Sequence, residues 1–493
     1  MANRSDVPFS VTAFKAPARY LTERFTRSRD DVALIDIEDG TFSYGVLYAN
    51  AAAIADAWRA QGAVQGDRIS FILPNGAGYV AAYLACAVGG FCACPIVPDL
   101  ADTSIDYILD LARPRLVVRD MPALAPNLPA PDAFPIAAGD TDPFVIIFSS
   151  GTTGNPKGIC HSLAAVVGNA TAFAAMSAMT PATRLYHVLP MAYMAGFQNT
   201  ILCPLLAGGA IILGPAFSPA NALTFWQRPV ARHANFLTLT PAIAAALARL
   251  GARDPDKAKA NAANLVSVQC TAGQLTRGTR TQFLEVFGKP LQDCYGVTEL
   301  GGPFTLQSPE EALTEETVGH PLPGLEISVL GHSASEGDLW IKTPAVMLGY
   351  LGHDGLDPPV LSDGFMATGD IAAFEDDKLT ITGRVKDMII KGGVNVAPIA
   401  VENVISELDE VEDVAVIGVN HDFWGEIIVA CVQAKAPEAK NRLKLAVQNH
   451  CARRLPSIHR PDQTIIVDGF PRAMNGKIQK HVLRDDIAKA LAG

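Results

Sequence analysis

A run of ten residues that is rich in glycines and hydroxyl side chains and contains one lysine lies in the first third of the chain. It reads Ser149-Ser150-Gly151-Thr152-Thr153-Gly154-Asn155-Pro156-Lys157-Gly158 and directly follows the apolar segment 144–148. Glycines let backbone N–H groups turn towards an anion, hydroxyls add donors, and a lysine adds charge. A mobile surface loop is the alternative, but this composition directly after a buried strand favours a phosphate-binding loop. It is not a Walker A motif, because Pro156 precedes the lysine and Gly158 follows it.

Four further motifs follow along the chain. Each alone is a weak signal, because a Gly-Asp or Gly-Arg pair is usually a turn and a single lysine is usually a solvated surface charge. In their order, however, the motifs resemble those of the adenylate-forming superfamily, which includes acyl- and aryl-CoA synthetases, peptide-synthetase adenylation domains and firefly-type luciferases. The resemblance covers nearly the whole chain. The four motifs are Tyr295-Gly296-Val297-Thr298-Glu299, Thr368-Gly369-Asp370, the segment 383–398 and Pro471-Arg472-Ala473-Met474-Asn475-Gly476-Lys477-Ile478.

The resemblance implies an ATP site and a role for each matching residue. Tyr295 is expected against adenine, Thr298 near the phosphates, and Glu299 on Mg²⁺, which prefers oxygen ligands. Asp370 is expected to bind the ribose hydroxyls, and Arg384 the ribose or a phosphate. The remaining residues expected at the nucleotide are Ser149, Ser150, Gly151, Thr152, Thr153, Gly154, Lys157, Gly273, Gln274, Asp293 and Lys386, the last of which is also the expected hinge between domains.

Lys477 matches the catalytic lysine of the superfamily. That lysine bridges the attacking carboxylate and the α-phosphate of ATP. The oxygens of both groups are negative, so their approach is unfavourable until a cation lies between them. The implied first step is therefore attack of a substrate carboxylate on ATP, with release of pyrophosphate.

The implied second step is transfer of the acyl group to a thiol. In the superfamily the C-terminal domain rotates and brings Gly392 and Gly393 to the thiol tunnel, where paired glycines suit a narrow passage beside a pantetheine arm. This glycine pair resembles that of the CoA synthetases, so coenzyme A is the expected acceptor. An acyl-carrier protein or an amine stays open, because the adenylation machinery is shared.

A protein that binds nucleotide without catalysis is the alternative from a different functional class. Retention of Lys477 together with Glu299 and Lys157 counts against it, because binding alone has little need of Lys477. A P-loop kinase is a further alternative, and the missing Walker pattern counts against that.

The resemblance also predicts the pocket for the acid. Many relatives carry a histidine that gates the acyl site, and Tyr193 stands at that position, where it either gates or only packs. The expected lining contains no lysine or arginine, which favours an apolar acid, aromatic or of medium chain length. The expected lining residues are Tyr193, Gly196, Phe197, Cys270, Thr271, Ala272, Gly296 and Val297.

The elements that must position these residues follow from the hydrophobic pattern. Short apolar runs alternate with Ala-rich amphipathic stretches through the first 330 residues, which predicts helices packed on mostly parallel sheets. Hairpins follow from about residue 337, and a small α+β unit ends the chain. We expect an N-terminal adenylation domain, 1–385, which binds acid and ATP, and a mobile C-terminal domain, 386–493, which carries Lys477. Predicted strands include 69–73, 91–97, 144–148, 210–213 and 266–270, with helices at 79–88, 398–408 and 441–455.

Composition limits the functional class. The net charge of −11 argues against broad binding to nucleic acid. The nine cysteines include no CxxC pair, and an odd number without a framework suits a reducing cytoplasm. The polar N-terminus lacks a signal-peptide core, and the two long uncharged stretches are broken by proline and glycine, so no membrane span is expected.

Overall fold

A computed structural model describes residues 14–38, 40–150, 156–331, 336–436, 440–472 and 477–492 of the chain. Within these residues, helices pack on two large sheets, a smaller antiparallel sheet follows, and an α+β unit ends the chain. The expected α/β class, with its β-rich region and small C-terminal unit, is confirmed.

The first large sheet carries the strands on both sides of the phosphate loop. Its central strands are parallel and buried, as their near-continuous apolar sequence predicts. The sheet becomes antiparallel where Pro143–Ser150 turns back into Pro156–Ser162. Across the sheet, the strands are Gly355–Asp357, Gly349–Gly352, Pro156–Ser162, Pro143–Ser150, Cys92–Ile96, Arg68–Ile72 and Leu116–Val118.

The second large sheet is parallel except at one edge, where Val32–Ile35 pairs antiparallel with Thr41–Ser43. Parallel strands end at a common edge, so the loops that follow Ser267–Cys270 and Gln292–Asp293 are neighbours. Those loops carry the predicted adenine and acid residues. Across the sheet, the strands are Gln292–Asp293, Ser267–Cys270, Phe236–Leu239, Arg184–His187, Ala210–Leu213, Val32–Ile35 and Thr41–Ser43.

Helices cover both sheets, and several of them begin at side-chain caps. Ser162 Oγ, for example, accepts from Ala165 N at 3.2 Å and starts the helix behind the phosphate loop. In the described part of the chain, no helix is both long and apolar enough to cross a membrane. The N-terminal helices are Pro17–Arg27, Tyr44–Ala60, Ala77–Gly89, Asp102–Ala112, Leu163–Met176, Cys203–Ala207, Gln227–Ala231, Pro241–Gly251, Pro255–Ala262, Arg277–Phe287 and Glu311–Thr314, with a π-helix at Ala195–Leu202 and 3₁₀ turns at Ala222–Thr224 and Thr298–Leu300.

A four-stranded antiparallel sheet follows the parallel core. In its last hairpin, Asp370 lies directly opposite Arg384. The neighbouring short hairpins pair Gly296–Val297 with Gly302–Pro303, and Thr305–Leu306 with His320–Pro321. The strands of the four-stranded sheet are Glu326–Gly331, Glu336–Lys342, Met366–Glu375 and Lys378–Arg384.

The C-terminal unit has a core of its own, built around Val401, Val416 and Val447. A 3₁₀ turn, Val385–Asp387, connects it to the preceding hairpin and contains Lys386. Its strands are Ile389–Lys391, Val394–Val396, Val411–His421, Gly425–Ala434 and Gln463–Val467, and its helices are Pro398–Ser406, Lys440–Arg454 and Lys480–Ala492, with a 3₁₀ turn at Ser457–His459.

Candidate active site

The phosphate loop is held at its two ends by antiparallel pairing. Ser149 lies opposite Lys157 and Ser150 opposite Pro156. The strands therefore fix where the loop starts and where Lys157 leaves it. The predicted residues Gly151, Thr152, Thr153 and Gly154 lie outside the described residues.

Thr298 and Glu299 form a turn beside this hairpin, and their carbonyl oxygens are held by other segments. His161 Nε2 lies 2.7 Å from Thr298 O, and Met347 N donates to Glu299 O at 2.8 Å. Burial lowers the pKa of His161 to about 4, so the ring is neutral near neutral pH and Nε2–H donates to the carbonyl. His161 follows the phosphate loop on the same strand, so it ties the loop to the Thr298–Glu299 turn.

Tyr350 connects the same two segments through its side chain. Its hydroxyl donates to Glu299 Oε1 at 3.0 Å, and Lys157 Nζ lies 5.5 Å from the centre of its ring. The sequence pattern did not indicate Tyr350. Its only signal in the sequence is a tyrosine that follows a glycine in a short strand. Its position at the site becomes apparent from the pairing of Gly349–Gly352 with the strand after the phosphate loop.

Asp370 is the centre of a second cluster. It is 2% exposed, and its two oxygens accept from the Tyr295 hydroxyl and from Arg384 Nε. Burial raises the pKa of Tyr295 well above its usual value, and the negative charge of Asp370 raises it further. The phenol therefore remains protonated and donates. A carboxylate has further lone pairs, so Asp370 can hold Tyr295 and Arg384 and still accept from a diol.

Cations gather around these two clusters. Lys386 lies within electrostatic range of Arg384 and Lys157, and the repulsion adds to desolvation in lowering the pKa of Lys386. Lys477 from the C-terminal unit joins them. Its side chain reaches solvent, but the surrounding protein removes part of its hydration, and this desolvation lowers its pKa to about 8. Repulsion from Arg384 is the second-largest cause of the lowered pKa.

Glu299 and Asp370 act on Lys477 in the opposite direction and favour its charged form. The structure therefore brings the predicted catalytic lysine to the predicted metal and ribose carboxylates, although they lie far apart in sequence. A site with this surplus of cations can bind a polyphosphate and stabilise negative charge that develops in a reaction.

The predicted adenine residues occupy the adjoining loops. The Asp293 carboxylate forms a buried ion pair with Arg280 at 3.0 Å, and burial raises its pKa to about 7 although Arg280 opposes the shift. Gln307 Oε1 accepts from both Asp293 N and Arg280. Asp293 is thus part of a network that fixes the strand end, a contact that sequence reasoning missed.

Gly273 and Gln274 are exposed on the neighbouring loop. Gln274 Nε2 donates to Asn403 Oδ1 at 2.8 Å, which connects this loop to the C-terminal unit. Ala272, just before them, has a φ of 66°, a left-handed conformation that is uncommon without glycine and that clusters at functional sites.

The residues predicted to line the acid pocket differ in their surroundings. Tyr193 is half-buried, and burial raises its pKa, so the phenol is neutral at physiological pH. Phe197 is fully buried and stacks on Tyr83 at 4.4 Å, within the apolar core. A Cβ at Gly296 would lie 2.3 Å from Gly302 O, so a side chain there would displace the hairpin. Of the others, Gly196, Cys270 and Thr271 are buried, and Ala272 and Val297 are half-buried.

Gly392 and Gly393 form an exposed turn on the C-terminal unit. Gly392 has a φ of 56°, and its N–H donates to Trp424 O at 2.7 Å. A Cβ there would lie 2.9 Å from the Trp424 ring. Beneath the turn, Lys391 Nζ pairs with Asp462 Oδ1 at 2.6 Å. The turn is therefore anchored on its inner side.

A metal ion at this site would depend on more than protein ligands. Among the described residues, no group of three or more His, Cys, Asp or Glu side chains could hold a metal. Mg²⁺ is usually held by one or two carboxylates together with substrate phosphates. Glu299, whose charge acts on Lys477, fits the role of one such carboxylate.

Comparison with known proteins adds independent findings. The chain matches the AMP-binding enzyme family over residues 21–351 and the AMP-binding enzyme C-terminal domain over residues 400–477. It is 28% identical to long-chain-fatty-acid–CoA ligase FadD13 of Mycobacterium tuberculosis, over 91% of this chain and 93% of that protein. It is 29% identical to mitochondrial malonate–CoA ligase ACSF3 of Mus musculus, over 92% of this chain and 88% of that protein.

A solved structure has the same architecture. ATP-bound MatB from Rhodopseudomonas palustris superposes with a TM-score of 0.84 at 25% identity, over 96% of this chain and 99% of that one. Agreement over nearly the whole of both chains extends the likeness to the C-terminal unit.

Proposed function

The chain belongs to the family of AMP-binding enzymes, and from that premise we propose that it activates a carboxylic acid with ATP and passes the acyl group to coenzyme A. Membership confirms the resemblance recognised in the motifs. The relatives named above are CoA ligases, which supports the acceptor, although their acids differ greatly in length and charge.

One observation carries the adenylation step. Lys477, from the C-terminal unit, lies within electrostatic range of Glu299 and Asp370 beside Arg384 and Lys386. A protein that only binds nucleotide does not need a lysine from the C-terminal unit at this position. An enzyme that joins two anions does need a cation there, because the cation reduces their repulsion.

In the first step, a carboxylate oxygen of the acid attacks the α-phosphorus of ATP, the bond to the bridging oxygen breaks, and pyrophosphate leaves. Lys477 reduces the repulsion between the two anions as they approach. Lys157 and the phosphate loop hold the leaving phosphates, and Asp370 orients the ribose. Such catalysis is mainly positioning and electrostatics. Glu299 would hold Mg²⁺ together with the phosphates of ATP, and the ion would supply additional charge neutralisation.

In the second step, a thiol attacks the acyl carbonyl carbon, and AMP leaves. We place the hinge at Lys386, in the 3₁₀ turn between units 1–385 and 386–493. Rotation there removes Lys477 and presents the exposed Gly392–Gly393 turn. The absence of a side chain at that turn suits close approach of a pantetheine arm.

We propose an apolar acid, aromatic or of medium chain length. None of the residues proposed to line the pocket is a lysine or arginine, so they offer no cation to a second carboxylate. Tyr193, half-buried and neutral, contributes a ring and a single hydroxyl, and either gates the acyl group or packs against it. The proposed location is the cytoplasm, because all nine cysteines are free and buried, which suits a reducing compartment.

The experiment is acid-dependent release of pyrophosphate from ATP, measured over aryl and alkyl acids with and without coenzyme A. We expect release with one class of acid, and a thioester, detected by mass spectrometry, when coenzyme A is present. Release without a thioester would move the acceptor to a carrier protein or an amine. If the protein bound ATP tightly but released no pyrophosphate with any acid, even after the panel of acids was extended, the result would contradict an adenylating enzyme.

A further inference from the structure

The proposed metal ligand, Glu299, sits in a turn whose backbone is already fixed. Thr298 O is held by His161 Nε2 at 2.7 Å, and Glu299 O accepts from Met347 N at 2.8 Å. With both carbonyls engaged, the remaining freedom of Glu299 lies in its side chain. Ordering a glutamate side chain on binding costs rotamer entropy.

Tyr350 removes much of that freedom. Its hydroxyl lies 3.0 Å from Glu299 Oε1, and its strand is fixed by pairing with the strand after the phosphate loop, with Tyr350 opposite Ile159. Leu348 N also donates to Cys160 O at 2.8 Å, which anchors the approach to this strand. Position and direction of the phenol are thus set by the sheet.

The ring of Tyr350 faces a second group that is expected at the phosphates. Lys157 Nζ lies 5.5 Å from the ring centre, within the range of a cation–π contact. The hydroxyl and the ring act on different partners. One tyrosine therefore sets the spacing between the carboxylate for the metal and the lysine for the phosphates.

We propose that Tyr350 is a positioning residue that presets Glu299 for Mg²⁺ through its hydroxyl and Lys157 for the phosphates through its ring. The inference rests on the proposed function and deepens it. Tyr350 contacts Glu299 and Lys157 and acts through them. It lowers the cost of ordering these two groups.

The two parts of the residue can be separated by substitution. Tyr350→Phe keeps the ring and removes the hydrogen bond, whereas Tyr350→Leu removes both. The readout is equilibrium binding of a fluorescent ATP analogue as Mg²⁺ is titrated, which requires no turnover. Tyr20→Phe, on the helix Pro17–Arg27, is the matched control, and thermal unfolding of each variant confirms the fold.

We expect Tyr350→Phe to raise the Mg²⁺ concentration for half-maximal binding by about tenfold, the usual scale for a hydrogen bond to a charged group. Binding without Mg²⁺ should stay unchanged. Tyr350→Leu should also weaken binding without Mg²⁺ by a few fold, because Lys157 loses the ring. Tyr20→Phe should match the wild type in both.

A double-mutant cycle distinguishes positioning from general damage. In a Glu299→Gln background, Tyr350→Phe should have little further effect on the Mg²⁺ dependence, because the carboxylate it orients is gone. An unchanged Mg²⁺ requirement in Tyr350→Phe, or an equal loss in the Glu299→Gln background, would overturn the proposal. Because the assay measures binding, a failure to release pyrophosphate would count against the proposed function and not against this role.

Discussion

The two sides of the candidate site are held in different ways. On the N-terminal side, two proposed nucleotide-site carboxylates are held by other side chains: Asp370 by Tyr295 and Arg384, and Glu299 by Tyr350. Lys477 belongs to a separate unit with its own core. Polar contacts between the units include Gln274 with Asn403 and Arg249 with Glu412.

The difference indicates a division of labour. In the proposed mechanism, the N-terminal side would form a rigid wall that binds nucleotide in both steps, since pre-organised groups bind a ligand at lower cost. The C-terminal side would provide a charge that is needed in the first step and would obstruct the second. Substitutions on each side can separate these two roles.

The largest effect is expected for Lys477→Ala. Acyl-adenylate formation should fall by about 10²–10³-fold, the usual cost of one oriented group that stabilises transition-state charge. ATP binding should largely survive, and so should thioester formation from a synthetic acyl-adenylate, because the wall is intact. Rapid-quench assays of the separate half-reactions make the measurement, with Lys480→Ala as control, since Lys480 pairs with Glu402 inside the C-terminal unit. Equal losses in both half-reactions would show that Lys477 does not act in adenylation alone.

The wall itself should respond to Asp370→Asn. The loss of charge weakens the contacts to Tyr295 and Arg384 and to the ribose, so ATP affinity should fall by about 10–100-fold. Both half-reactions should need more nucleotide. Calorimetric titration with ATP measures the loss, and Asp376→Asn, in the exposed turn of the same hairpin, is the control. A variant that binds ATP as the wild type does would show that Asp370 serves the fold alone.

Whether the sequence could predict a contact at the site depends on how far apart its residues lie along the chain. Local signals indicated Lys157, Glu299, Asp370 and Lys477, because each stands in a short motif within or beside a strand or glycine-rich loop, and their roles at the nucleotide stay predictions. The predicted strand 266–270 begins one residue later, at Ser267, since Val266 is 71% exposed.

The supporting contacts were out of reach for a physical reason. Tyr350 meets Glu299 through a strand pairing, and His161 meets Thr298 across more than a hundred residues. Such partners depend on the register between segments that are distant in the chain, and no periodicity within one segment encodes that register. Motifs indicate the groups proposed to perform chemistry. The residues that hold those groups in position can be identified only from the folded structure.

A pH profile tests the lysine without any substitution. The protonated amine is the form that stabilises charge, and the lowered pKa of about 8 means that this form is lost as pH rises through 8. The kcat/KM for ATP in adenylation, which reports the free enzyme, should be level below that pH and then fall about tenfold per unit. Lys477→Arg should abolish the decline, although with lower activity, because a guanidinium stays charged. A wild-type profile that stays level to pH 10 would place the lysine in a more hydrated setting.

The smallest effect concerns the contact between the two sides. Arg249, on the helix Pro241–Gly251, forms an ion pair with Glu412 of the C-terminal unit, and its side chain is 57% exposed. Exposed pairs contribute roughly 0.2–1 kcal/mol, so Arg249→Ala should shift the balance between domain arrangements by up to about fivefold. Adenylation should slow slightly, and thioester formation from a supplied acyl-adenylate should become faster by a similar factor.

Opposite changes in the two half-reactions are the informative feature, because general destabilisation would slow both. The exchanged pair Arg249→Glu with Glu412→Arg should restore the wild-type ratio, and added salt should reduce the difference between wild type and Arg249→Ala. Arg253→Ala, exposed just beyond the same helix, serves as the control. If Arg249→Ala slowed both steps equally, this ion pair would belong to the rigid wall, and the attachment of the lysine-bearing unit would depend on other contacts, of which Gln274 with Asn403 is the next to test.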